Sequence, residues 1–218
     1  MPIAASEQFA LTVAPSGGLA GDGRGYAFFK RAIDIVGALF GLAVVSPIFL
    51  FAFAWVRLVD RGPVLFCQWR VRHGGRLFRI YKLRTMRLDA ERGTGAAFSR
   101  RGDARVLPGC RWMRRAHVDE LPQLWNILRG DMSLVGPRPE RPEVAYEINA
   151  RLRSFAKRTA VKPGLTGLAQ VRAGYANDIA GHREKLRYDL LYIRTRSIRN
   201  DLGLMLGSLT KLWDRRAC

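Results

Sequence analysis

The sequence predicts an α/β protein, mostly helical, that enters a membrane without crossing it. Three observations carry this: an uncharged apolar run interrupted at Ser46-Pro47, a β-rich stretch holding Lys82 and Arg84, and two amphipathic stripes near the C-terminus. Composition fits a folded domain. The 218 residues include 37 basic and 18 acidic side chains, a net charge of +19, and Arg supplies 31 of the cations. Yet 48% of residues are hydrophobic and only 25% charged, which excludes a disordered basic tail. Cys67, Cys110 and Cys218 have neither CxxC nor His-paired spacing. That excludes a disulfide scaffold and a standard zinc site, and it suggests a reducing, cytosol-facing location. Such basicity leaves nucleic acid, anionic membrane or a polyphosphate ligand as candidate partners.

Residues 1–25 are rich in Gly, Ala and Ser and read as a mobile leader. From Ile35 to Val56 there are 22 residues without a charge, long enough at about 1.5 Å per residue to cross a hydrocarbon core of about 30 Å. Ser46-Pro47 sits in its middle, where proline removes a helical hydrogen bond. Lys30 and Arg31 precede the run, and Arg57, Arg61, Arg70 and Arg72 follow it. Basic flanks prefer the cytoplasmic face, so a helix broken at Ser46-Pro47 that enters and leaves one leaflet satisfies both ends. This predicts a reentrant membrane helix over residues 26–57 and a cytoplasmic body over 58–218, on the membrane surface. A straight anchor with a tolerated kink and a buried core helix are the competing readings.

Residues 57–115 hold 16 basic and 4 acidic side chains, a charge suited to anionic headgroups or to a polyphosphate. Within them, Leu77–Met86 reads as a strand, and its period of two puts Phe78, Ile80, Lys82 and Arg84 on one face. Alternating charge on a strand also suits a merely solvated face. Residues 87–109 contain Gly93, Gly95, Gly102, Pro108 and Gly109 and read as a loop. A helix is expected from about Arg111, interrupted at Leu121-Pro122, with Pro122 opening the next. Residues 131–142 form a proline-punctuated turn in which Pro137 and Pro139 hold Arg138 extended. Leu186, Leu190 and Ile193 define one amphipathic stripe, and Leu202, Leu206, Leu209 and Trp213 another. Both suit a core or a partner, and a membrane surface is the second meaning.

Asp119-Glu120 thus stands at a helix junction, within five residues of Arg114 and Arg115. A helix start at Pro122 favours an ionised carboxylate there. An ionised carboxylate can attack phosphorus if a cation screens the phosphate. Successive helical side chains diverge by roughly 100°, so the two acids cannot flank a sugar as a glycosidase pair does. One nucleophile with an adjacent helper fits better. Mg²⁺ is the expected cation, held by one or two carboxylates plus substrate phosphates. An ordinary ion-pair network is the competing reading.

Four ordered motifs follow the Ser-Pro run: IYKLRTM (Ile80–Met86), DELPQLWNILRGDMSLVGPRPE (Asp119–Glu140), VKPGLTGLAQV (Val161–Val171) and KLRYDLLYI (Lys185–Ile193). With these the chain, from about Lys30 to Trp213, resembles the small monotopic phosphoglycosyl transferases, the bacterial sugar transferases. The resemblance implies transfer of a sugar 1-phosphate from a UDP-sugar to undecaprenyl phosphate, releasing UMP, as the first membrane step of surface glycan synthesis. It implies a ping-pong route in which Asp119 forms a covalent phosphosugar intermediate and Mg²⁺ bridges Asp119 and the diphosphate. Glu120 would position groups or handle a proton. Arg114 and Arg138 match phosphate-holding arginines, and Lys82 and Arg84 fall at basic strand positions of the family. The same resemblance implies a reentrant helix broken at Ser-Pro, a location on the cytoplasmic face of the bacterial inner membrane, and the family's minimal form. The chain departs from the family pattern at His117-Val118, at Arg72 and at Leu168.

A membrane-tethered nucleic-acid-binding protein is the alternative from another class. It would use the basic stretch for phosphate contacts but leaves the acidic pair unexplained, and no zinc-finger spacing or RNA-recognition signature accompanies it. Nucleic acid is therefore not an expected partner. The UDP-sugar, the lipid phosphate and the bilayer are, and the C-terminal stripes are compatible with a homodimer.

Overall fold

A computed structural model of the protein describes residues 24–91, 102–173 and 178–209. The expected leader, the glycines at 93 and 95, and Trp213 lie outside them, Arg24 and Gly25 excepted. Helix α1 (Arg24–Val59) carries the apolar run. Then come the antiparallel strands β1 (Leu65–Val71) and β2 (Leu77–Leu83), helices α2 (Arg111–Arg115) and α3 (Gln123–Arg129), and strand β3 (Ser133–Val135). Helix α4 (Pro142–Arg151), strand β4 (Gly164–Thr166), and helices α5 (Leu168–Arg172), α6 (Ile179–Thr195) and α7 (Ile198–Leu209) complete it. The described residues are mostly helical, as the sequence predicts, and include two small sheets.

Helix α1 is 36 residues long, about 54 Å at 1.5 Å per residue. It continues through Ser46-Pro47, where the sequence predicts a break. The chemistry of the pair explains the continuity. Pro47 has no N–H to give the Ala43 carbonyl one turn back, and the Ser46 hydroxyl donates to that same oxygen at 2.9 Å. Much of the helix surface is bare: Phe40, Val44, Leu50 and Phe51 are exposed, a face compatible with association with one leaflet.

Its inner face meets the body at both ends. Ala38 packs among Phe78, Leu124, Ile127 and Leu134, while Ala52 and Val56 pack among Leu83, Met113 and Val118. Near the start, the Arg31 guanidinium donates to the Ile127 and Leu128 carbonyls at 2.6 and 2.7 Å, among the last of α3. Asp34, buried, accepts from the Leu134 amide and the Ser133 hydroxyl, both at 2.9 Å.

Register in the β1–β2 hairpin runs from Leu65 opposite Leu83 to Val71 opposite Leu77. Phe78 and Ile80 point into the core, so the expected alternation holds through Lys82. Met86 is not in the strand but makes one antiparallel bridge to Val106. The β3–β4 pair is parallel, three residues each, and β3 lies inside the stretch 131–142 that the sequence reads as a turn. Its close approach depends on glycine. A Cβ on Gly164 would lie 2.0 Å from the Gly136 nitrogen. The Gly164 amide also donates to the Pro137 carbonyl at 2.9 Å, so this contact holds the Pro-Arg-Pro segment. Gly164→Ala is expected to cost about 1–3 kcal/mol or more by overpacking, read as a lower melting temperature of the solubilised protein.

The Leu186–Leu190–Ile193 stripe of α6 faces the core, with Leu186 and Ile193 buried. On α7, Leu202 and Leu206 are exposed.

Candidate active site

The acidic pair sits on a sharp turn. After α2, His117 takes a left-handed conformation at φ 54°, the only non-glycine among the described residues with positive φ. A 3-10 turn, Val118–Glu120, follows and leads through Pro122 into α3. The left-handed residue costs on the order of 1 kcal/mol and lets the chain reverse at once. Val118 then enters the core, and Asp119 and Glu120 are buried at the surface of β2. The departure from the family pattern at His117 thus falls on a backbone hinge.

The two carboxylates have opposite surroundings. Glu120 accepts from Lys82 Nζ at 2.7 Å and takes both Arg138 guanidinium nitrogens, one of them at 3.1 Å. Burial opposes its charge, but the Arg138 and Lys82 cations outweigh that and hold the carboxyl well below the usual range. Asp119 accepts no hydrogen bond from the described residues. Burial pushes its carboxyl up, against the pull of nearby Lys82 and Arg114. Burial likewise lowers Lys82, with Glu120 opposing. The pair is one anchored carboxylate and one unengaged carboxylate, side by side.

Of the basic residues singled out from sequence, Lys82 and Arg138 meet at Glu120. Arg114 lies near Asp119 and donates to the Thr85 hydroxyl at 3.2 Å. Arg84 goes elsewhere. Strand β2 ends at Leu83, and the Arg84 guanidinium bonds Asp60 at 2.6 Å under the Gly62 turn. Ser46 and Pro47 lie on α1 beside an apolar cleft next to the Leu121–Pro122 end of the acidic turn.

The sequence assigns Arg158 no role and reads Arg70 only as a basic flank of the apolar run, yet both meet the Arg138 loop. Arg158, buried, bonds Asp189 at 2.7 Å and lies 3.4 Å from Glu140. It also donates to the Arg138 carbonyl at 2.9 Å. Arg70 donates to the Pro139 carbonyl at 3.1 Å, and burial pushes it down to about 10. These two arginines hold the successive carbonyls of Arg138 and Pro139, so the Arg138 guanidinium meets Glu120 from a braced loop. The Pro-Arg-Pro-Glu run (Pro137–Glu140) is the sequence signal for this brace.

Among the described residues, no three His, Cys, Asp or Glu side chains gather as a metal cage. Mg²⁺ does not need one, since it takes one or two carboxylates and fills its shell with water and phosphate oxygens. The unengaged Asp119 carboxylate fits that demand, whereas Glu120 is occupied by cations.

A long apolar helix compatible with membrane association, a mostly helical body and a buried carboxylate pair beside Lys82 and Arg138 define the class. The chain belongs to the bacterial sugar transferase family, whose model matches residues 25–215. It is 41% identical over 184 residues to a UDP-N-acetylgalactosamine-undecaprenyl-phosphate N-acetylgalactosaminephosphotransferase of Aeromonas hydrophila, covering 84% of this chain and 43% of that one. It is 43% identical over 185 residues to a UDP-glucose:undecaprenyl-phosphate glucose-1-phosphate transferase of Caulobacter vibrioides, covering 84% and 69%. It is 37% identical to the exopolysaccharide production protein PSS of Rhizobium leguminosarum, covering 83% and 92%. The chain thus spans less than half of the Aeromonas relative and most of the Rhizobium one.

Proposed function

We propose that this protein transfers a sugar 1-phosphate from a UDP-sugar to undecaprenyl phosphate, giving the lipid diphosphate sugar and UMP. The observation that carries the reading is the contrast between the two carboxylates. Asp119 is buried and unengaged, and Glu120 beside it is neutralised by Lys82 and Arg138. An Asp119 oxygen attacks the β-phosphorus of the donor. The bond from that phosphorus to the oxygen bridging to the α-phosphate breaks, UMP leaves with the electron pair, and the sugar phosphate stays on Asp119. An oxygen of the lipid phosphate then attacks the same phosphorus and restores the carboxylate.

Glu120 serves as the anchor. By holding Lys82 and Arg138 it sets two cations at the diphosphate, and the Lys82 ammonium keeps N–H donors for phosphate oxygens beside the one given to Glu120. Arg114 favours the ionised Asp119 from the other side. When bound, Mg²⁺ would sit on the Asp119 carboxylate and screen the phosphate charge that otherwise repels the nucleophile.

The reading places the protein on the cytoplasmic face of the inner membrane, with α1, though helical throughout, bending at Pro47 to enter and leave one leaflet. What supports this is that Arg31 near one end of α1 and Val56 near the other both contact the same body. A transmembrane helix would carry one of them to the far side. The exposed Leu202 and Leu206 of α7 would lie on the bilayer surface.

The test is UMP release by detergent-solubilised protein given undecaprenyl phosphate, Mg²⁺ and a panel of UDP-sugars. Release with one donor, lost on chelation, is the expected result and names the sugar. Folded protein silent across the panel would sink the reading and return the weight to a binding protein.

A further inference from the structure

Strand β1 puts two side chains beside a cation that the transfer reading gives to the diphosphate. Phe66 is the register partner of Lys82, so the two side chains leave the hairpin on one face. Gln68 follows on that face two residues along, about 7 Å further down the strand. Leu65 and Tyr81 leave by the other face and line the apolar cleft. We propose that Phe66 and Gln68 hold the base of the nucleotide donor: the ring as a stacking face, the amide as a hydrogen-bond donor to a uracil carbonyl. The subsite rests on the UDP-sugar donor proposed above.

The amide is held in one orientation. Gln68 Oε1 accepts from Arg70 Nη2 at 2.6 Å, and a guanidinium has only donors to give. Turning the amide over would set its NH₂ group against an N–H, so the NH₂ group is the end left for a ligand. No described residue accepts from it, and it is not sealed from solvent. Arg70 is fixed in turn on the Pro139 carbonyl at 3.1 Å, and it lies near enough to Arg138 and Glu120 to feel both charges. Gln68 is therefore tied through Arg70 and the Pro-Arg-Pro segment to Glu120, and Phe66 through the ladder to Lys82. Both routes end on the same carboxylate.

What such a pair recognises follows from its chemistry. Phe66, 40% exposed, offers a flat apolar face on which any base can stack. The Gln68 NH₂ group only donates, so it suits a base edge that carries a carbonyl oxygen. Uracil has one at the position where cytosine carries an amino group, and there two donors would meet unpaired. A hydrogen bond built in this way rejects the analogue that lacks its partner. With the diphosphate at Lys82 and Arg138, the ribose spans the step along β1 to Gln68.

Ligand binding to the full chain in detergent, with Mg²⁺, separates base reading from phosphate holding. The probes are UMP, CMP and ribose 5-phosphate, which keeps a phosphate and has no base. The parent is expected to prefer UMP to CMP by at least about tenfold. Gln68→Glu keeps the Arg70 partner and replaces the donor with an acceptor. That preference should then fall by about tenfold or more, whatever the added charge does to all three ligands. Phe66→Ala, at an exposed position, should weaken UMP by at least about fivefold and ribose 5-phosphate by less than about twofold, while Phe66→Tyr keeps UMP binding. A UMP-to-CMP ratio that Gln68→Glu leaves in place, or equal weakening of UMP and ribose 5-phosphate in Phe66→Ala, would overturn the subsite. A parent that binds no UMP and releases none from any UDP-sugar would overturn the transfer reading instead.

Discussion

Asp119→Asn is expected to abolish turnover and to raise the melting temperature. The loss of activity follows from the nucleophile: an amide cannot form the phosphosugar ester, so UMP release should fall by at least about 10⁴-fold. The gain in stability follows from burial. No described residue donates a hydrogen bond to Asp119, and its carboxyl is pushed above the usual value. A group whose folded pKa is raised is ionised at a cost at neutral pH. Asn removes the charge, and a gain of about 1 kcal/mol would lift the melting temperature by about 2–4 °C in a domain of this size. The sign has a pH signature. The gain should be full well above the raised pKa and vanish below the ordinary value of about 3.9, where Asp119 is protonated in both states. Melting curves from pH 8 down to pH 4 check it, and a gain that grew on acidification would contradict the environment described for Asp119.

The second large effect lies at Asp189. It is buried, and it pairs with Arg158 at 2.7 and 2.9 Å. Asp189→Asn leaves the Arg158 cation with Glu140 at 3.4 Å as its remaining carboxylate. Breaking a buried pair this way costs about 3–5 kcal/mol, and the partial cover from Glu140 favours the lower end. A fall of at least about 6 °C in melting temperature is expected. Because Arg158 also holds the Arg138 carbonyl, turnover should drop as well, with the phosphosugar intermediate still forming, only slowly. A variant that melts within 2 °C of the parent would show that this pair does not brace the site.

Local pattern and local motif carried much of this into the sequence. The apolar run, the Lys82 strand, the helix after Pro122 and the Pro-Arg-Pro turn are all set by residues within one element, so they are legible. Arg84 lies away from the carboxylate pair for a physical reason. Strand alternation puts it beside Lys82 only while the strand lasts, and the ladder ends at Leu83. The Arg158–Asp189 pair joins residues 31 apart in sequence, and charge alone does not name a partner at that separation. The parallel β3–β4 contact depends on backbone approach at glycines within three-residue strands, too short for a period. Continuity of α1 at Pro47 turns on one serine hydroxyl replacing a lost amide, which propensity does not register.

Asp119, and not Glu120, is proposed to carry the sugar phosphate. Intact-protein and peptide mass measurement after brief exposure to UDP-sugar and Mg²⁺, with no acceptor present, tests it most directly. The account predicts a phosphosugar adduct on the peptide containing Asp119, lost on adding undecaprenyl phosphate and never formed by Asp119→Asn. Rapid turnover without any adduct, or an adduct mapped to Glu120, would contradict it.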